Sequence, residues 1–173
     1  TTWALGYAYL LRGDRAAAGR AYTESIAISQ AIGHFIIHFM ATMGLSRVQE
    51  LDNQLVTAAE TYRQALQLAG DPPLPVACEV HLGLARICYE WNDLAAAEQH
   101  VQRGAYLARQ IADTDRFVAC DLFLARLKLA EGDGAGAVAL VAAAEQAVRL
   151  RNFVQRIPDV AAAKVLLLLA QGN

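Results

Sequence analysis

A chain of 173 residues, 55% hydrophobic but only 8% aromatic, is long enough to bury a real core and draws its apolar share mostly from Ala and Leu. Those strong helix formers argue for close-packed helices and against sheets. The formal net charge of −2 leaves no basic excess of the kind a nucleic-acid-binding surface normally carries.

In chain order, helices are expected at 2–12, 15–31, 34–51, 54–69, 74–90, 93–112, 114–131, 134–150 and 158–171. Turns fall at Gly13, Asn53, Asn92, Gly132 and Gly172, spaced 40, 39, 40 and 40. Gly and Asn enter the left-handed backbone that ends a helix at least cost. Asp14, Asp93 and Asp133 follow three of these turns, placed to cap the next helix. Pro72, Pro73 and Pro75 break the chain after the fourth helix, and Pro158 suits the first turn of the last one. No segment alternates like a strand. The most apolar run, residues 165–170, is far shorter than the ~20 residues a membrane helix needs. No basic n-region followed by an apolar stretch is visible at the start, so a secretory signal is not expected. Cys78, Cys88 and Cys120 stand singly, without a CxxC pair, as small core residues of a reducing compartment. A single domain in the cytoplasm is the expectation.

Other columns move with the turns. Gly6, Ser46, Ala85 and Ala125 stand seven before, and Ala18, Ala58, Ala97 and Ala137 five after. Tyr22, Tyr62, Val101 and Val141 stand nine after, and Ser25, Ala65, Gly104 and Ala144 twelve after. Large beside small at helical spacing lets the ridges of one helix enter the grooves of its neighbour. Each unit therefore reads as helix A, a tight turn and helix B.

This pattern resembles the tetratricopeptide repeat, most closely in LGYAYLLRGDRAAAGRAYTESIAIS at residues 5–29. The units near forty residues are longer than the usual repeat of about 34. That length, with GLARICYEWNDLAAAEQHVQRGAYLA at residues 83–108, resembles the sensor region of large ATP-dependent LuxR-type (MalT-like) transcription activators. The resemblance implies an all-α, right-handed superhelix of about four hairpins plus one extra helix. It also implies a parent regulator with a nucleotide-binding module before this region and a DNA-binding module after it. Neither has a signature here: no GxxxxGK[ST] loop occurs, and no base-reading helix follows a short turn. The chain, opening on Thr1 and closing at an expected turn, is read as a piece of that larger protein.

In such a solenoid the A helices line the concave face. The column six before the turn, Tyr7, Arg47, Arg86 and Arg126, would face one groove, with Tyr89 and Trp3 as stacking surfaces. Arg47 has Glu50 at i+3 and Arg86 has Glu90 at i+4, spacings that favour structural ion pairs; Arg126 has Ala130 at four. His34 and His38 could hold a metal from one helix face, yet no third ligand has a defined offset. Trp91 is expected to staple its hairpin. No catalytic constellation, metal site or cofactor signature is legible. The expected partners are a small-molecule inducer or a protein segment in the groove, and the parent's other domains; no nucleic acid or membrane is expected for this region. The alternative is a general protein–protein interaction scaffold. The last helix, apolar along residues 165–169 and lacking a hairpin partner, is expected to self-associate.

Overall fold

The computed structural model describes residues 2–170 and 172; among these every regular element is helical. Nine α-helices follow in order: α1 (Thr2–Leu11), α2 (Arg15–Ala31), α3 (Phe35–Leu51), α4 (Leu55–Ala69), α5 (Cys78–Glu90), α6 (Leu94–Gln110), α7 (Thr114–Ala130), α8 (Gly134–Arg151) and α9 (Ile157–Ala170). Short 3-10 turns at Pro75–Ala77 and Val154–Arg156 lead into α5 and α9. Successive helices pack as antiparallel hairpins, and the odd-numbered A helices also touch one another along the inner side.

The turn column is left-handed throughout, with φ +80 at Gly13, +59 at Asn53 and Asn92, +84 at Gly132 and +77 at Gly172. Asp14, Asp93 and Asp133 accept from the backbone N–H three residues on at 2.8–3.0 Å, as does Asp113 ahead of α7. The joint between α6 and α7 keeps the Asp cap but lacks the Gly or Asn: Ala112 takes φ +51 there.

The small columns are buried as their spacing requires, with Ala18, Ala58, Ala97 and Ala137 fully enclosed. The joint between units uses a volume exchange. The side chain nine after each turn meets the residue nine before the next: Tyr22 packs on Gly44 and Tyr62 on Gly83, while Val101 shares a core cluster with Phe123 and Val141 one with Ala163. A Cβ at Gly44 or Gly83 would lie inside the tyrosine ring, and Gly6 faces Tyr22 from the other side. The tyrosines thus thread between adjacent A helices toward the inner face.

In α9, Lys164 and Val165 stand eight and seven before Gly172, places that hold Leu and a small residue in the earlier units, yet the register holds. Val160 and Leu167 are buried against α7 and α8, while Lys164 turns out to Glu145 at 2.6 Å. With no following helix B described, Val165 is 55% exposed, against 1% for Ala125 one unit earlier. Trp91 stands at the turn that joins α5 to α6. It caps α5 at the edge of the turn and remains nearly half exposed.

Candidate ligand groove

The inner face holds a groove of about 750 Å³ built by α1, α3, α5, α7 and the turn before α9. Trp3, Tyr7, Leu10, Met40 and Met43 form its apolar end, and Arg47, Arg86, Arg116 and Arg156 project along it. Past Arg86 it runs into a second hollow of about 310 Å³ that contains Arg126 and Leu166.

The guanidinium column is held by cross-unit contacts. Arg86 does not pair with Glu90. It donates Nε and Nη2 to Glu50 of the preceding unit at 2.5 and 2.9 Å, and Arg47 donates to the same carboxylate at 2.6 Å. Tyr62 Oη completes the set at 2.8 Å. Packing of A helix on A helix brings the residue six before one turn beside the residue three before the previous turn, and this tertiary neighbour wins over the i+4 one. Burial alone would raise the Glu50 pKa, but the Arg86 hydrogen bond and the two guanidinium charges hold it below the ordinary carboxylate range. Burial, opposed by Arg86 and reinforced by Glu50, raises that of Tyr62.

One unit on, Tyr89 occupies the place of Glu50. Arg126 lies over its ring at 4.2 Å and reaches Glu90 at 3.7 Å, so the arginine without a helical partner finds both contacts in the preceding unit. Tyr89 also meets Phe123 edge-on at 5.9 Å and stands behind the groove wall. Tyr7, Arg47 and Arg86 line the larger groove, Arg126 lines the smaller one, and Tyr89 supports Arg126.

Toward the other end, Arg116 pairs with Glu79 and Asp113, and Arg156 pairs with Asp115 and Asp159. Charge is therefore graded along the groove: two guanidiniums share one carboxylate at Arg47–Arg86, whereas two face four carboxylates at Arg116–Arg156. Local sequence spacing did not indicate Glu79, Asp115 or Arg156 as groove residues, because the pairs Glu79–Arg116 and Asp115–Arg156 join positions 37 and 41 apart.

The histidines serve elsewhere. His34 Nδ1 accepts from Ile37 N at 3.4 Å, and His38 bonds Gln30 at 3.1 Å. No group of three metal-type ligands forms among the described residues. The three cysteines are buried, and burial pushes the Cys78 thiol up to about 11 and that of Cys120 to about 12. Among the described residues no helix is long and apolar enough to cross a membrane.

Paired antiparallel helices, left-handed turns at forty-residue intervals and A helices lining a common groove define a tetratricopeptide-type repeat protein. The chain belongs to the family described as the MalT-like TPR region, whose profile matches residues 1–173. Similar solved structures include a candidate kinesin light chain of Podosopora anserina with nearly identical TPR-like repeats. It is 18% identical over 99% of this chain and 85% of that one, with a TM-score of 0.69. A point variant of that same protein is 17% identical over the same shares, with a TM-score of 0.70. At these identities the likeness is one of fold. No curated protein sequence matches the chain.

Proposed function

We propose that this chain is the signal-sensing part of a MalT-like, LuxR-type transcription activator and takes its inducer in the concave groove. The observation that carries the reading is the groove itself. Its volume of about 750 Å³ falls within the range of small-molecule sites, and it combines an apolar, aromatic end with a few fixed polar groups. Arg86 is held in place by Glu50, so the polar wall is organised before any ligand arrives. Family membership supports the regulator context. Binding in the groove would bridge successive A helices and so bias how the units stack, a way for occupancy to reach the rest of a regulator.

A second reading, a scaffold for a protein segment, draws support from the continuation of the groove past Arg86 into the hollow beside Arg126. A melting screen against sugars, organic acids, aromatic metabolites and nucleotides separates the two. An inducer at a hundred times its dissociation constant adds about 2.7 kcal/mol, which raises the midpoint by about 5–11 °C at this chain length. Tyr7, 53% exposed, is the cleaner probe residue, since Arg86 also holds the fold together. A shift lost in Tyr7→Ala, whose unliganded midpoint stays near wild type, supports the sensor. A flat screen with a peptide bound in the same groove would transfer the assignment to the scaffold.

A further inference from the structure

The repeat displays, in its second unit, an arrangement that its first unit leaves incomplete. Around Glu50 three columns converge: the tyrosine nine after the turn (Tyr62), the carboxylate three before it (Glu50) and the arginine six before the next turn (Arg86). One unit earlier the same columns hold Tyr22, Leu10 and Arg47. Donors stand at both outer places, but the middle place, where the carboxylate would be, is a leucine.

The side chains bear this out. Tyr22 is 2% exposed, threaded between Gly6 and Gly44, and its phenol makes no hydrogen bond among the described residues, whereas the Tyr62 phenol donates to Glu50 at 2.8 Å. Tyr22, Leu10 and Arg47 all line the large groove. Arg47 donates a single hydrogen bond to Glu50 through Nη1 and is 39% exposed, so N–H groups remain free for a second acceptor. Glu50 already balances Arg86, which leaves one positive charge in excess at this end. A phenol that opens on the groove without a protein acceptor, and a guanidinium in excess on the same groove wall, are donors suited to an anion.

We infer that the groove carries a carboxylate subsite between Tyr22 and Arg47, and that its ligand is a small organic monocarboxylate with an apolar or aromatic body. The ligand carboxylate takes the place that Glu50 fills one unit later, accepting from Tyr22 Oη and the Arg47 guanidinium. Its body lies against Trp3, Tyr7, Met40 and Met43. The four carboxylates at the far end oppose a second anionic group, which selects a monoanion over a dianion.

The inference rests on the groove being a ligand site, and the test separates the two. Phenylacetate and its neutral partner phenylacetamide serve as probes, read by melting midpoint and titration calorimetry on wild type, Tyr22→Phe and Leu10→Glu. The acid is expected to bind and the amide to bind at least about tenfold more weakly. Tyr22→Phe, which removes one oxygen and keeps the packing, is expected to weaken the acid at least about fivefold. Leu10→Glu supplies the carboxylate from within and is expected to abolish acid binding. It is also expected to melt above Leu10→Gln at pH 7, with the difference closing as its carboxyl protonates, a readout that needs no ligand. An acid response equal to the amide's, or one that survives both substitutions, overturns the subsite. So does a Leu10→Glu variant no more stable than Leu10→Gln. A neutral ligand lost in Tyr7→Ala but indifferent to Tyr22→Phe overturns the carboxylate subsite while keeping the groove.

Discussion

Replacing Glu50 with Gln removes one charge from the most connected polar group of the inner face. The wild-type carboxylate accepts four hydrogen bonds at 2.5–2.9 Å and its side chain is 10% exposed. In the variant one amide oxygen still accepts, but the amide NH₂ faces the Arg86 and Tyr62 donors. Stranding the charge of a fully buried pair costs about 3–5 kcal/mol. Arg86 is a quarter exposed, so solvent returns part of this, and about 2–4 kcal/mol is expected. At this chain length that lowers the melting midpoint by about 4–16 °C. The pH dependence tests the cause. The folded pKa of Glu50 lies below its unfolded value, so its contribution is present above the ordinary carboxylate pKa and lost as pH falls through the folded one. The gap between wild type and Glu50→Gln, followed by calorimetry from pH 7 downward, should therefore close at acid pH. Because the apolar pair Glu50→Leu with Arg86→Met strands no charge, it should be more stable than either single variant. A loss under about 1 kcal/mol, or a gap that does not change with pH, would falsify the cross-unit pairing as a source of stability.

Gly83→Ala places a methyl group inside the Tyr62 ring and should destabilise by about 1–3 kcal/mol; adding Tyr62→Val, as in the third and fourth units, should recover most of this in chemical denaturation. Asp121 is 8% exposed with its pKa pushed up by burial to about 6, so above that pH the fold holds an unfavourable buried charge. Asp121→Asn should stabilise by about 1–3 kcal/mol at pH 7.5, and melts below pH 6, where the wild-type carboxyl is neutral, should show the gain shrinking. Sedimentation at rising concentration should reveal association of the wild-type chain through α9 that Val165→Glu with Leu169→Lys reduces; equal behaviour of the two would remove α9 as the contact.

The fold was legible because the periodic residues act locally. Gly13, Asn53, Asn92 and Gly132 terminate helices by their own backbone preference, and Ala18 or Ala58 permit close approach by their own size. Ala112 was illegible as a turn residue because nothing intrinsic to alanine favours φ +51. The concave column Tyr7, Arg47, Arg86 and Arg126 could be read from spacing, but its partners could not. Glu50 meets Arg86 36 positions away only once two A helices are side by side, and local spacing pointed to Glu90 instead. Gly44 and Gly83 went unread for the same reason: their meaning lies in the tyrosines of the preceding unit.

Those tyrosine joints limit how such a chain can grow. A hairpin whose helix B carries Tyr22 or Tyr62 accepts as its successor only a hairpin with glycine at the facing place, while one carrying Val101 or Val141 accepts Phe123 or Ala163. Copying α3–α4 in tandem would keep every joint matched, since Tyr62 would again meet Gly44. Inserting α7–α8 after α4 would drive Tyr62 into Phe123. Units that look interchangeable by their turns therefore fall into two compatibility classes, and duplication or recombination can lengthen the array only at seams where the class is preserved.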